Sequence, residues 1–388
     1  MCDDPHDHEV ESIMSSTSCQ SCTIWSMGQP KLLEPREDVT VEQAQARIDE
    51  LYASGIPFFT KQAIQELWDQ IQSKPTSGDR IVTKDLTGAS LEWKVKLGKS
   101  IELRSSEDRD ARHEFIYKIL GVNYRSAAHL KGGFRWGEVG SEAYAPMQLM
   151  HQLCKADSSS ENKETIPDDP IGERDDVARD FQKSAEDWEN TETCKNLKSI
   201  LRSFASGHPI NKIIGFACGS LALPNNHHVS VQTALLVTVR NWLKERYNDS
   251  DVSCYIQDPM NTSVDKEVLA DIGFEMIDDP RGWLEVDERS FVLSVAPNVP
   301  VKEIIADIAR PAIAVWYKVE EEDTASTDPS TPRVREMIEG YDLHEFASDN
   351  DDFKTVVIYI RKSEIPPTPN PDGTFFTPTG KSDKLDSE

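Results

Sequence analysis

The sequence has no long hydrophobic run. A membrane-crossing helix needs roughly 18 or more consecutive apolar residues, and no stretch of the 388 residues approaches that length. The N-terminus reads MCDDPHDHEVE, with acids where a secretory signal has basic residues followed by an apolar segment. Mitochondrial presequences are rich in Arg and poor in acids, which this segment is not. We therefore expect an intracellular protein of the cytoplasm, the nucleus or both, with no membrane partner.

Basic residues are scarce relative to acidic ones. The chain has 42 Lys and Arg against 68 Asp and Glu, which gives a formal charge of 42 − 68 = −26. Because like charges repel, this balance argues against charge-driven binding to DNA or RNA. Much of the acid lies in segments without apolar periodicity, which cannot bury enough surface to offset the entropy of ordering. The charge therefore says more about tails and connectors than about a folded core.

Cysteine is sparse, and its spacing predicts neither disulfides nor a metal site. The seven cysteines are odd in number and scattered, which fits free thiols in a reducing compartment. Cys19 and Cys22 form a single CxxC pair in an acidic segment, with no second pair to complete a zinc site. His227 and His228 are adjacent but lack a spaced third ligand. We predict no metal.

Catalytic motifs are also missing. The sequence contains neither GxSxG nor HExxH, and its glycine spacing after the first strand of the second section is GxxxG rather than GxGxxG. No catalytic residue is predicted, whether the chain is an enzyme stays open, and the cofactor is unknown.

What is present divides into five segments. The apolar and acidic patterns predict a disordered tail over 1–38, an N-terminal α+β section over 39–154, an acidic linker over 155–176, a Rossmann-like domain over 177–361 and a second disordered tail over 362–388.

Local signals in the N-terminal section are specific. Thr40 and Gln43 form a candidate capping box before a helix that stops at Gly55. Thr60 can begin a second helix, KQAIQELWDQIQS. The strictly alternating LEWKVKL follows IVTKDL and a short turn, which predicts a β-hairpin.

The second section begins with one long helix over 177–205 and then alternates strands with helices. Strands are predicted in 212–220, 252–259, 274–277, 289–297, 312–318 and 353–360, and helices in 229–247, 263–273 (capped by Ser263) and 301–309. Short apolar strands that alternate with helices are typical of a parallel sheet. The expected fold is α/β: a Rossmann-like, largely parallel sheet with helices on both faces, plus the smaller N-terminal section.

Candidate ligand-binding residues follow from that fold, since open parallel sheets bind ligands beyond the carboxyl ends of their strands. Gly215, Gly219 and Ser220 end the first strand, where glycines let a backbone approach a ligand. A tight turn with close strand–helix packing is the alternative. With the following helix N-terminus, Lys212 and Arg240 would admit a small anionic or nucleotide ligand.

Three further candidates lie on the next elements. Gln232 falls inside the apolar stripe of helix 229–247, so its amide either ties down the Gly-Ser loop or contacts a ligand. Asp258 ends the second strand, where a carboxylate can hold ribose hydroxyls, although Asp-Pro is also an ordinary turn. Asn298 follows a later strand and would reach the same edge or simply belong to a turn.

The second section also resembles a known family. The order IIGFACGSL, SVQTALL, YIQDPMNTSVDKEVLADIGF and FVLSVAPNVP is similar to the sensitivity-to-red-light-reduced (SRR1-like) family over roughly 205–318. The N-terminal section looks like the extension of fungal members. The chain has Val-Ala-Pro-Asn at 295–298, where the family commonly shows a small polar residue, His or Cys after the Pro. That departure weakens an enzymatic interpretation.

The resemblance implies an intracellular regulatory protein, linked in plants to light signalling and circadian timing. It brings no agreed ligand or reaction. Two hypotheses stand: a regulator that acts through protein contacts, or an enzyme or sensor that binds a nucleotide or S-adenosylmethionine at the carboxyl ends of the strands.

Overall fold

The computed structural model describes most of the chain. The described residues are 13–15, 24–104, 112–134, 138–157, 165–166, 169–203, 209–247, 251–321, 326–346 and 353–362. The expected tail 362–388 lies outside them from residue 363 onward.

Within these ranges, helices and strands alternate along most of the chain. The helices are α1 (Val41–Ala53), α2 (Lys61–Gln72), α3 (Ala127–Gly132), α4 (Arg174–Glu189), α5 (Glu192–Ser203), α6 (His227–Arg246), α7 (Ser263–Asp271), α8 (Arg281–Glu285), α9 (Val301–Ile308) and α10 (Pro332–Ile338). The strands are β1 (Ile13–Ser15), β2 (Ile24–Met27), β3 (Lys31–Leu32), β4 (Arg80–Lys84), β5 (Ser90–Lys94), β6 (Ser100–Arg104), β7 (Arg112–Tyr124), β8 (Met147–Ala156), β9 (Thr165–Ile166), β10 (Lys212–Phe216), β11 (Ser253–Gln257), β12 (Glu275–Met276), β13 (Ser290–Ser294), β14 (Ile313–Tyr317), β15 (Tyr341–Glu345) and β16 (Val356–Arg361).

The large sheet lies in the second half of the chain and runs β12-β11-β10-β13-β14-β16-β15 in the described residues. The pairings from β12 to β14 are parallel. The two pairings of β16 are antiparallel, because β16 returns between β14 and β15. The predicted α/β class is therefore confirmed, and the sheet is mixed.

Helices cover both faces of this sheet. Alternate residues such as Ile213 and Leu293 join a core with apolar residues of α4, α5, α6 and α7. Their neighbours Ile214 and Val292 join a second core with residues of α8, α9 and α10. This alternation follows from the two-residue period of a strand.

The N-terminal section shares that second core. Its sheet runs β1-β2-β8-β7-β6, all antiparallel, with β3-β5-β4 as a smaller sheet. Ile48 of α1, Ile64 of α2 and Leu91 of β5 belong to the same buried cluster as Ile214 of β10. One hydrophobic core thus joins the two sections.

Two predicted helix starts and the hairpin are confirmed. Thr40 accepts a hydrogen bond from the Gln43 N–H in a capping box at α1, and Thr60 caps α2. Strands β4 and β5 form the expected antiparallel pair. At α7 the cap is Thr262 rather than Ser263, so that assignment is wrong by one residue.

The single helix predicted over 177–205 is wrong. Helix α4 ends at Glu189 and α5 begins at Glu192. Between them the Thr191 hydroxyl donates to the Trp188 carbonyl and accepts from the Cys194 N–H. A threonine side chain that bonds backbone groups in this way competes with a continuous helix.

Segments expected to be a tail and a linker contain regular structure in part. Strand β2 pairs with β8, and the Trp25 ring packs so tightly over Gly121 that a Cβ there would meet ring atom Cζ3 at 3.0 Å. Helix α4 begins at Arg174, before the predicted end of the linker. These segments contain too few apolar residues to predict a core from the sequence. Strands that are distant in the sequence nevertheless bury those residues.

Candidate functional site

Three parallel strands end level with one another at the carboxyl edge of the large sheet. In the register of β10 with its two neighbours, Phe216 lies beside Gln257 of β11 and Ser294 of β13. The loops that follow these strands therefore leave the sheet at one edge. The candidates Gly219, Ser220, Asp258 and Asn298 all lie in these loops.

Gly219 and Asp258 are in direct contact. The Gly219 N–H donates to Asp258 Oδ2 at 2.7 Å, and the Met260 N–H donates to Oδ1 at 2.8 Å. Gly219 has φ +77°, and a Cβ on it would lie 2.6 Å from a methyl group of Val229. Burial raises the pKa of the Asp258 carboxyl, while these two backbone donors act to lower it. The carboxyl group therefore joins the loops after β10 and β11.

Ser220 is held by a residue that sequence reasoning did not select. Its hydroxyl donates to Asp265 Oδ2 at 2.6 Å. The buried Asp265 carboxyl also accepts from the N–H groups of Leu221, at 2.7 Å, and Thr262, at 2.7 Å. The Thr-x-x-Asp spacing of 262–265 is a capping-box signal that marks this carboxyl in the sequence. Its second role, holding the Gly-Ser loop, depends on tertiary contact.

Gly215 lies within β10 rather than in the loop. A Cβ at this position would lie 2.8 Å from Cys218 Sγ and 2.9 Å from Leu236 Cδ1 of α6. This matches the alternative of close strand–helix packing, because no larger residue fits without a shift.

Gln232 lies in α6, in the part of the helix nearest this edge. Its Oε1 atom is buried and has no hydrogen-bond partner in the described part of the chain. The Gly-Ser loop is held by Asp258 and Asp265 through the hydrogen bonds above. These contacts do not involve the amide oxygen of Gln232, and a ligand contact by Gln232 stays a prediction.

Two more side chains at this edge carry buried polar atoms without partners. Asn261, in the loop after β11, has both Nδ2 and Oδ1 in this state. Ser294, the last residue of β13, is 0% exposed, and its Oγ has no partner. Leaving a buried polar atom unpaired costs about 1–3 kcal/mol. Neither residue was selected from the sequence, because an Asn in a turn and a Ser at a strand end are ordinary there.

Asn298 lies beyond the end of β13, with its side chain exposed. Topology places it at the same edge as Asp258 and Gly219, and its role as a ligand contact stays a prediction.

A polar group with an aromatic stack lies against the same strand ends, on the face toward the N-terminal section. Gln257 Nε2 donates to Asp279 Oδ1 at 3.0 Å, and Gln257 Oε1 accepts from the Gly282 N–H at 2.6 Å. The Trp283 ring stacks on Phe216 with centroids 4.0 Å apart. Burial raises the pKa of the Asp279 carboxyl to about 7. The strand ends are therefore packed firmly on this side.

The cations expected to admit an anion lie at the opposite edge. Lys212 is the first residue of β10, and its Nζ lies 3.1 Å from Asp287 Oδ2. The Arg240 guanidinium lies 5.8 Å from the ring centroid of Phe274, which directly precedes β12. The carboxyls of Asp258 and Asp265 lie near Gly219 and Asn261 at the carboxyl edge, and the buried Lys302 and Glu303 lie in the first turn of α9, after β13.

No group of three or more His, Cys, Asp or Glu in the described part of the chain is arranged to hold a metal ion. Cys19 and Cys22 lie outside the described residues. Of the helices in the described ranges, none combines the length and apolar character needed to cross a membrane.

Comparison with known families gives one match. The model of the SRR1 domain matches residues 193–368, from α5 through β16. The match supports a relationship to the SRR1-like family for this part of the chain, which contains the whole large sheet. No curated protein matches the chain.

Similar solved structures are methyltransferase-related but distant. A chain from the complex that contains the Haloferax volcanii Trm112 methyltransferase activator has 12% identity and a TM-score of 0.26, and the similarity covers 49% of this chain and 98% of that one. Haemonchus contortus phosphoethanolamine N-methyltransferase 2, in the structure with S-adenosyl-L-methionine, has 8% identity, a TM-score of 0.25 and coverage of 63% and 57%. At these TM-scores the similarities carry no argument about this chain.

Proposed function

We propose that this chain is an intracellular regulatory protein, of the cytoplasm or nucleus, that acts through protein contacts. We further propose that its Rossmann-like sheet binds a small molecule at the carboxyl edge, so that the regulator is also a sensor. The SRR1 domain match supports the regulatory part. The ligand part rests on one observation: at that edge, beside α6 and α7, Gln232 and Asn261 carry buried polar atoms that have no hydrogen-bond partner among the described residues.

Those atoms favour a ligand for an energetic reason. Buried polar side chains in native proteins are nearly always hydrogen-bonded. Unpaired atoms occur elsewhere in the described residues too, as at Asn211 Oδ1. At the carboxyl edge, however, such atoms occur in α6, in the loop after β11 and at the end of β13. A small polar molecule seated beside α6 would pair with Gln232 and Asn261, whereas Ser294 lies on the same face of the sheet as Val292, away from α6.

The state of the two nucleophilic side chains at this edge favours ligand binding over catalysis. The Ser220 hydroxyl donates its proton to the Asp265 carboxyl. Burial raises the pKa of the Cys218 thiol far above its ordinary value, so little thiolate is available. We therefore propose a sensor without a covalent step.

A thermal-shift screen tests the ligand part. The purified full chain is melted with S-adenosylmethionine, adenine and nicotinamide nucleotides, flavin and haem. A ligand at 100 times its Kd adds about 2.7 kcal/mol to the free energy of unfolding, so the melting temperature rises. Gln232→Leu should remove the shift and stabilise the ligand-free protein, because it removes an unpaired buried amide oxygen.

Gln182→Leu on the exposed face of α4 is the matched control and should leave the shift intact. A screen without any shift would contradict the ligand part of the proposal. A shift that survives Gln232→Leu would contradict the site.

A further inference from the structure

The side chain of Asn261 is unusual among the described residues, because both of its amide atoms are buried without partners. Its own N–H donates to the Asp258 carbonyl at 3.2 Å, which fixes the turn after β11. The next residue, Thr262, caps α7 through its capping box with Asp265. The amide is thus attached to backbone held on both sides.

The hydrogen-bonding groups of the Asn261 amide determine which ligand groups can pair with it. A carboxamide presents one acceptor oxygen and one donor NH2 group side by side in a plane. It pairs with groups that present a donor and an acceptor in the same way, as Asn pairs with the N6 and N7 atoms of adenine. A phosphate or carboxylate offers only acceptors and would leave Asn261 Oδ1 unpaired.

The charged groups near Asn261 also disfavour an anionic ligand group. Asp258 precedes Asn261 in the loop after β11, and Asp265 follows it in the first turn of α7. Burial and, after it, the Asp258 charge raise the pKa of the Cys218 thiol. Lys212 and Arg240 lie at the opposite edge of the sheet. An anionic group at Asn261 would be desolvated beside these two carboxyls. The buried Lys302, in the first turn of α9 after β13, is already paired with Asp328.

We infer that Asn261 hydrogen-bonds to an uncharged planar group that presents a donor and an acceptor side by side, namely an aminopurine edge or a carboxamide. A phosphate group contributes nothing to binding at this site. This inference rests on the proposed ligand site. It reverses the expectation of an anionic ligand, because the cations on which that expectation depended are elsewhere.

Matched ligands test the inference on the full-length protein by calorimetry and thermal shift. Adenosine and nicotinamide represent the two sources of the chemistry, and at least one should bind. If the purine is the ligand, inosine should bind at least tenfold more weakly than adenosine, since its acceptor at position 6 replaces the donor. AMP and ATP should bind no more tightly than adenosine, and inorganic phosphate should give no shift.

Asn261→Asp exchanges the donor NH2 for an acceptor at nearly the same volume. It should weaken the binding of adenosine or nicotinamide at least tenfold. Asn211→Asp is the matched control, because Asn211 Oδ1 is also buried and unpaired but precedes β10 at the amino edge. It should leave affinity unchanged.

The outcomes separate the inference from the proposed function. ATP binding tenfold more tightly than adenosine, or unchanged affinity in Asn261→Asp, would overturn the inference while the ligand site stands. The ligand series needs no variant, so it decides even if Asn261→Asp fails to fold. If none of these ligands binds but another compound of the screen does in a Gln232-dependent way, the inference alone is wrong. If no compound shifts the melt, both are wrong.

Discussion

The Tyr124 hydroxyl donates a hydrogen bond to Asp279 Oδ1 over 2.7 Å, although the two residues are 155 positions apart in the sequence. Tyr124 is the last residue of β7, in the N-terminal section, and Asp279 lies in the loop before α8. The same carboxyl oxygen accepts from Gln257 at the end of β11. One carboxyl group therefore joins the N-terminal section to the edge of the large sheet where the candidate site lies.

This carboxyl predicts a pH-dependent loss of stability. Burial raises its pKa from 3.8 to about 7, so the folded state holds the proton to higher pH than the unfolded state. The free energy of unfolding therefore falls as pH rises from about 4 to 7. Relative to wild type, Asp279→Asn should gain about 2–3 kcal/mol between pH 5 and pH 8. Urea unfolding at pH 5, 6.5 and 8 measures it.

The exposed Asp69→Asn variant is the control for that series and should follow the wild-type curve. Parallel curves for Asp279→Asn and wild type would show that Asp279 ionises normally in the folded protein.

Arg333 provides a second link between the sections. Its guanidinium donates to Asp307 Oδ1 at 2.9 Å and to the Tyr52 and Ile56 carbonyls at 2.9 and 2.6 Å. Arg333→Met should lower the free energy of unfolding by about 3–5 kcal/mol, because it leaves the buried Asp307 carboxyl without a cation. Arg333→Lys should cost less, since it keeps the charge but loses the planar fork.

Chemical denaturation of both variants checks this order. Lys318→Met breaks an exposed ion pair with Glu345 and should change stability by less than about 1 kcal/mol. Equal effects of Arg333→Met and Lys318→Met would contradict the assigned role.

Asp265 should be the residue on which the Gly-Ser loop most depends. Asp265→Asn places an NH2 group against the donors of Ser220, Leu221 or Thr262, whichever way the amide turns. We expect a loss of about 2–4 kcal/mol, measured by thermal and urea unfolding. Asp271→Asn, exposed near the end of the same helix, should stay within about 0.5 kcal/mol of wild type. A neutral Asp265→Asn would mean that the loop holds its shape by other contacts.

Gly215 offers a test of packing against binding. Gly215→Ala should destabilise the fold by about 1–3 kcal/mol, because the new methyl group would meet Cys218 and Leu236 below 3 Å. Adding Leu236→Ala should recover part of the loss of Gly215→Ala in a double-mutant cycle, since it opens the space. Gly132→Ala, with nothing within 4 Å of the added Cβ, is the control. A stable Gly215→Ala protein that fails to bind a ligand would instead assign Gly215 to the site.

Features carried by neighbouring residues could be predicted from the sequence. The Thr40 cap of α1 depends on residues three apart, and the hairpin of β4 and β5 on one alternating segment. The placement of Gly219 and Asp258 at one edge followed from the rule that parallel strands end together, whereas the hydrogen bond between them was not predicted. The break after α4 was missed because it depends on which backbone groups one threonine bonds.

Long-range features were out of reach for a physical reason. The pairing of β2 with β8 joins segments more than 120 residues apart, and no local pattern encodes it. Asn261 and Ser294 attract attention only once their surroundings are known, because an unpaired buried atom is a property of the packing and not of the residue. Lys212 was expected to contact an anion at the carboxyl edge, but it is the first residue of β10 and therefore lies at the amino edge of the sheet.

The two sections share one core, so the segment that matches the SRR1 domain model does not contain all the residues that bury this core. A fragment cut at residues 193 and 368 would keep every strand of the large sheet. It would also bare Ile214, Val292 and Trp316 on the face that the N-terminal section helps to bury. Such a fragment would expose apolar surface that the full chain buries, so a protein captured with it could have bound this exposed core rather than the surface of the full chain.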